Sequence, residues 1–197
     1  MSRLLVAAPM RIEAALISSA SRRAVVRKTG MGPRRSKAAA GELASASTDA
    51  SAMLVLGFCG GLDASSVPGE VIVAESVYAA LDEGHAEERV SCDLHGQLVA
   101  HLTGRGMKVR AGDVVCVSRL ALGERRAELH AAGAIAVDME SVWLAAGASG
   151  RPFGVVRVVL DSPEHELLRV RAAGGALRAA LALRRVAGAL HEWAPGV

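Results

Sequence analysis

Short apolar runs alternate with amphipathic segments along nearly the whole chain, and this alternation restricts the fold more than any other feature. Runs rich in Val, Leu and Ile, bounded by turn residues, predict strands at Leu4–Ala8, Ala24–Thr29, Met53–Phe58, Glu70–Tyr78, Lys108–Ala111, Val114–Ser118, Ala134–Val137 and Phe153–Leu160. Helices are predicted between them at Met10–Ala20, Pro33–Ala46, Leu94–Thr103, Glu124–Ala131, Glu140–Ser149 and Ala173–Trp193. Pro33 suits a first helical position, where its missing N–H costs nothing. The last helix sets Leu177, Leu181, Leu183, Val186 and Leu190 against Arg178, Arg184 and Arg185, an amphipathic cover for a sheet. Strands that alternate with helices give an α/β fold: a three-layer α/β/α sandwich around a mixed, largely parallel sheet. Residues 1–197 carry no internal repeat or linker and read as one domain. Arg89–Cys92 and Ala194–Val197 match neither pattern.

Composition removes several classes of function. With 51% hydrophobic residues the chain can bury a substantial core. Aromatics are only 3%, too few to stack a run of bases. Net charge is +3, from 23 basic and 20 acidic residues that are mixed along the chain, so no nucleic-acid surface is expected. No apolar stretch is long enough for a membrane span. The opening MSRLLVAAP is followed at once by Arg11 and Glu13 and reads as a buried strand rather than a signal peptide. Cys59, Cys92 and Cys116 are odd in number and lack metal-ligand spacing, as expected of reduced thiols in a cytoplasmic protein. The six histidines, among them His85, His95 and His165, show no ligand spacing either, and no metal or organic cofactor is expected.

The chemistry concentrates where carboxylates meet strand ends. Ala136-Val137-Asp138-Met139-Glu140-Ser141 places Glu140 at a strand-to-helix junction, where the helix dipole is expected to keep it ionised. An ionised carboxylate accepts hydrogen bonds from both hydroxyls of a diol such as ribose. Asp161 closes the run Val155–Leu160 with little polar company, so its proton is expected to be held more tightly. One carboxylate to hold a sugar and one to deliver a proton would serve glycosyl transfer. The plainer alternative is helix capping by Asp138 or Glu140 and a turn at Asp161-Ser162-Pro163. Glu13, at the start of a helix, could activate water if it faced the same crevice. Gly30-Met31-Gly32 could turn backbone N–H groups toward a ligand, or simply form a tight turn. Gly57-Phe58-Cys59-Gly60-Gly61-Leu62 could bring the backbone close to a ligand, or form a bulge. Cys59 reads as a small buried residue rather than a nucleophile.

Four motifs in order carry a resemblance: Ala8-Pro9-Met10-Arg11-Ile12-Glu13; Gly30-Met31-Gly32; Gly57–Leu62 with Pro68-Gly69-Glu70; and Val137-Asp138-Met139-Glu140 followed by Val156–Asp161. Together they resemble the nucleoside phosphorylase and nucleosidase superfamily, which includes methylthioadenosine/S-adenosylhomocysteine nucleosidase. The resemblance implies cleavage of an N-glycosidic bond in a purine nucleoside or a 5′-substituted adenosine derivative, with no cofactor and with a homo-oligomeric assembly. It further implies that Glu140 binds ribose, Met139 lies beneath the sugar, Asp161 protonates purine N7 and Glu13 orients the attacking water. Val115 and Cys116 would stand against the base, and Phe58, Gly60 and Gly61 near the nucleophile. The chain departs from the nucleosidase pattern in three places. Leu160 stands where Ser usually precedes the acid, Phe58 replaces a small polar residue, and Ser162–Glu166 does not continue the usual acidic, alanine-rich run. These departures leave the base and the nucleophile open, with phosphate as the alternative to water. The AVDMES, GFCGGL and RVVLDSP runs are most similar to the hopanoid-associated branch, which implies adenosylhopane as a substrate. A nucleoside-binding protein without catalysis stays open on the same fold.

Overall fold

The computed structural model describes residues 3–46, 49–80, 89–164 and 172–195. The strands are β1 (Arg3–Ala8), β2 (Ala24–Lys28), β3 (Ala50–Gly61), β4 (Val71–Ala79), β5 (Val90–Ser91), β6 (Val109–Cys116), β7 (Ala136–Asp138) and β8 (Phe153–Asp161). The helices are α1 (Arg11–Ala20), α2 (Pro33–Ser45), α3 (His95–Gly104), α4 (Glu124–Ala131), α5 (Ser141–Leu144) and α6 (Ala172–His191). His85 and His165 lie outside the described residues.

The sheet is mixed, in the order β2-β1-β3-β7-β6-β4-β5, and β8 pairs with both β3 and β4. Pairing is parallel for β1 with β2 and β3, for β3 with β8, and for β6 with β4 and β7. It is antiparallel for β3–β7, β4–β5 and β4–β8. Strands β3, β7, β6, β4 and β8 therefore close into a ring, with the ends of β3, β7 and β8 brought side by side. Helices cover both faces, as a sheet with two apolar faces requires. Ile17 of α1, Leu98 and Leu102 of α3, and Leu183, Val186 and Leu190 of α6 bury against one face. Ala39 and Leu43 of α2 and Leu144 of α5 bury against the other. Leu129 of α4 joins a third cluster with Leu62, Val115, Val117 and Val137.

Four elements differ from their sequence-based expectation. The two strands predicted at Lys108–Ala111 and Val114–Ser118 are one strand, β6. At its Gly112-Asp113 step the strand packs closely on Ile135, 2.9 Å from where a Cβ on Gly112 would sit, and Asp113 accepts from Ser76 at 2.7 Å. β4 absorbs the irregularity with a register shift between Ala74 and Val77. The helix predicted over Glu140–Ser149 is α5 followed by a 3-10 turn, Ala145–Ala148, which ends at Ser149 with φ 49°. That turn lies close on α2: a Cβ on Gly147 would sit 3.0 Å from the Leu43 side chain. β3 runs past Phe58 to Gly61, and β5 occupies part of the unassigned Arg89–Cys92. Among the described residues, no helix is long and apolar enough to cross a membrane.

Candidate active site

Arg157 is the centre of the arrangement. Strand alternation turns it inward between Val155 and Val159, and it is fully buried. A buried guanidinium must be paired. Its Nη2 lies 2.7 Å from Asp138 Oδ2, 2.9 Å from Ser141 Oγ and 3.6 Å from Glu140 Oε2, and its Nη1 donates to the Phe58 carbonyl at 3.2 Å. These carboxylates hold the guanidinium protonated, its pKa raised despite burial.

Asp138 does what the plainer sequence reading allowed. Its Oδ1 accepts from the N–H groups of Glu140 at 3.0 Å and Ser141 at 3.2 Å, and Ser141 Oγ donates to its Oδ2. Burial pushes its carboxyl up, but Arg157 and these donors more than offset that, and the net shift is downward. Asp138 thus fixes the turn that aims Glu140.

Glu140 is buried and accepts from the Gly32 N–H at 3.1 Å. Gly30 and Gly32 have φ of 88° and 84°, which glycine adopts without strain, and this turn presents the N–H. The expectation that a helix dipole keeps Glu140 ionised fails. α5 is only four residues long, and burial, joined by repulsion from Asp138, outweighs Arg157 and pushes the carboxyl up to about 7.

Glu13 faces the same centre. Its Oε2 accepts from Met10 N–H at 2.6 Å and its Oε1 from Phe58 N–H at 2.7 Å. Burial raises its pKa, and Arg157 and the two N–H donors offset only part of the rise. Gly57 makes this approach possible: a Cβ there would lie 2.5 Å from Glu13 Oε1 and 2.9 Å from Arg157 Nη1. Glu13 and Glu140 are thus brought to one guanidinium from opposite ends of the sequence.

Asp161 lies at the end of β8, beside Gly60 in the pairing with β3. The expectation of little polar company fails here too: Arg126 Nη2 donates to Asp161 Oδ2 at 2.6 Å. A cavity of about 40 Å³ opens between Asp161, Arg126, Gly60, Val117, Val137 and Met139. Met139 lines it. Val115 and Cys116 do not: both are fully buried, and Cys116 Sγ accepts from Val142 N–H at 3.2 Å. The wall is made by Val117 and Val137. Gly60 and Gly61 are strand residues of β3 paired with β7, with a register shift against β8 between Cys59 and Gly60, and a Cβ on Gly61 would collide with Ser66. Phe58 enters through its backbone, while its side chain joins the core on the α1 and α6 face. Cys59 is buried and its thiol is pushed up by desolvation, as befits a core residue. Arg11, Arg34 and Arg35 are exposed.

Sequence reasoning missed Arg157 and Arg126 as site residues. A lone arginine inside the run Val155–Leu160 was a readable signal, because an apolar strand buries such a charge only with partners. Arg126 offered none: it stands in the polar segment Glu124–Ala131, where arginine is ordinary.

Comparison with known proteins agrees with this architecture. A 5′-methylthioadenosine/S-adenosylhomocysteine nucleosidase from Neisseria meningitidis, in complex with methylthio-immucillin-A, superposes with TM-score 0.78 at 19% identity, covering 98% of this chain and 100% of that one. The corresponding nucleosidase from Campylobacter jejuni gives TM-score 0.80 at 16% identity, with 98% and 100% covered. A futalosine hydrolase mutant from Helicobacter pylori gives 0.81 at 14% identity, with 96% and 98% covered. At such identities the likeness is one of fold. No curated protein matches by sequence. The family model described as the phosphorylase superfamily matches residues 9–187, and the chain belongs to that family.

Proposed function

We propose that the protein hydrolyses the N-glycosidic bond of a purine nucleoside. The observation that carries this reading is the convergence of Glu13, Glu140 and Asp138 on the buried Arg157, four residues before Asp161 on the same strand. Glu140 accepts from the ribose hydroxyls. Met139 packs beneath the sugar, and the valine wall takes the base. Asp161 donates a proton to the departing purine. Glu13, with Arg157 at its side, holds water against the anomeric carbon. The water oxygen bonds to that carbon as the C–N bond breaks with its electron pair moving to the purine. The purine takes its proton from Asp161, the water gives one to Glu13, and exchange with solvent resets both carboxyl groups. Two buried carboxylates near the reacting carbon suit the positive charge of an oxocarbenium-like transition state.

Water is favoured over phosphate by two features. The Phe58 N–H, which a glycine-rich strand end could offer to an anion, is already given to Glu13. Arg157, the buried cation beside Glu13 and Glu140, is committed to carboxylates. A dianion brought beside Glu13 and Glu140 would meet like charge in a dry site.

The test is release of free base from purine nucleosides. Asp161→Asn cannot donate the proton and should lower kcat by about a hundred- to ten-thousand-fold while binding largely survives. Full activity of Asp161→Asn would remove Asp161 from the mechanism.

A further inference from the structure

Arg126 is 2% exposed and tied down at three points. Its Nε donates to the Ala121 carbonyl at 2.9 Å, Nη1 to the Gly61 carbonyl at 3.4 Å, and Nη2 to Asp161 at 2.6 Å. A guanidinium has five N–H donors, so these bonds leave two among the described residues. Both Arg126 and Asp161 line the cavity whose other walls include Gly60, Val117, Val137 and Met139. A flat ring between the apolar walls would turn its polar edge to the guanidinium and the carboxylate together. Gly60 leaves room for the pair: a Cβ there would lie 3.2 Å from Arg126 Nη2 and 3.3 Å from Asp161 Oδ1.

The hydrogen-bonding pattern of that edge distinguishes purines. Adenine presents the acceptor N7 beside an amino group that donates. A carboxylic acid alone can serve both, giving its proton to N7 and accepting from the amino group with its other oxygen. Here Oδ2 of Asp161 already accepts from Arg126, and the guanidinium, with N–H groups to spare, borders the same cavity, so the edge beside the carboxyl group is rich in donors. An adenine amino group would meet guanidinium N–H, donor against donor, in a dry site, which is costly. A 6-oxopurine presents N7 beside the acceptor O6, which suits a donor in that place.

We infer that Arg126 is a specificity-determining residue that selects a 6-oxopurine as the departing base, an inference that rests on the nucleosidase reading above. As the C–N bond breaks, its electron pair spreads over the purine, including O6. Arg126 donates a hydrogen bond to that oxygen and keeps its own proton, while the base takes its proton at N7 from Asp161. The charge-assisted bond is stronger in the transition state than in the ground state, which raises turnover for this class of base. The cavity as it stands is small for a purine. Its least constrained wall is Leu120, 64% exposed, whereas Arg126 is held by three hydrogen bonds.

The experiment measures base release by the full chain from inosine and adenosine, and from the same pair carrying a 5′-methylthio group, with and without phosphate. Wild-type kcat/KM should favour the 6-oxopurine member of each pair by at least about tenfold. Arg126→Met should cut that ratio by about tenfold or more, with the loss falling on the 6-oxo substrate. Arg126→Lys, which keeps a charged donor, should retain part of the preference. Should Arg126→Met fail to fold, the wild-type ratio and Arg126→Lys decide. Equal or faster cleavage of the adenine nucleosides, or an unchanged ratio in Arg126→Met, overturns the inference and leaves the nucleosidase reading standing. No base release from any of the four substrates removes both.

Discussion

Glu140 carries the clearest pH signature. Burial pushes its carboxyl up to about 7, so both protonation states are present near neutrality. Accepting from two ribose hydroxyls requires the charged form. The kcat/KM profile should therefore rise as pH increases through about 7 and level off above it. In Glu140→Gln this ascending limb should disappear and activity should fall at all pH values. The linkage sign follows from the same shift. Between the ordinary carboxylate range and about 7 the folded state holds more protons than the unfolded chain, so stability contributed at this position declines as pH rises through that window. Thermal unfolding of the two proteins across pH 5–8 should show the decline in wild type and less of it in Glu140→Gln. An activity profile flat between pH 6 and 8 in wild type would contradict this role.

At the scale of elements, the end of β3 positions both carboxylate–arginine groups of the candidate site. Gly57 admits Glu13 and Arg157, and Gly60 admits Asp161 and Arg126. Gly57→Ala would drive a methyl group to 2.5 Å from Glu13 Oε1, against a carboxylate held by two backbone N–H groups. The expected cost is about 1–3 kcal/mol of stability with a large loss of turnover, measured by denaturant unfolding and steady-state kinetics. Wild-type activity in Gly57→Ala would show that Glu13 need not sit where it does. This element also shows how far the sequence could be read. The apolar run Met53–Phe58 announced the strand. The need for Gly57, Gly60 and Gly61 is not legible there, because the reason for each glycine is a side chain distant in sequence: Glu13, Arg126 with Asp161, and Ser66. The carboxylates were legible because their motifs are local. Their charge states were not, since these depend on burial and on Arg157. The short α5 followed a similar logic: a helical pattern held for one turn, then gave way where α2 comes close.

On the scale of the whole molecule, the layered arrangement expected from alternation holds, and the ring closed by β8 brings the ends of β3, β7 and β8 to one place. The loop beside that place presents Leu120 and Leu122 to solvent, at 64% and 40% exposure. Adjacent exposed leucines at a site mouth favour assembly that covers them. The protein should run as a homo-oligomer in light scattering at micromolar concentration, and Leu120→Glu should shift it toward monomer. A wild-type monomer under those conditions would contradict this. The central claim is that water, held by Glu13, opens an N-glycosidic bond. The most direct measurement is the sugar product of purine nucleoside cleavage, followed as phosphate is varied. The account predicts free ribose, or the free 5′-substituted sugar, at a rate indifferent to phosphate. Sugar 1-phosphate formed at a rate that saturates with phosphate would contradict it.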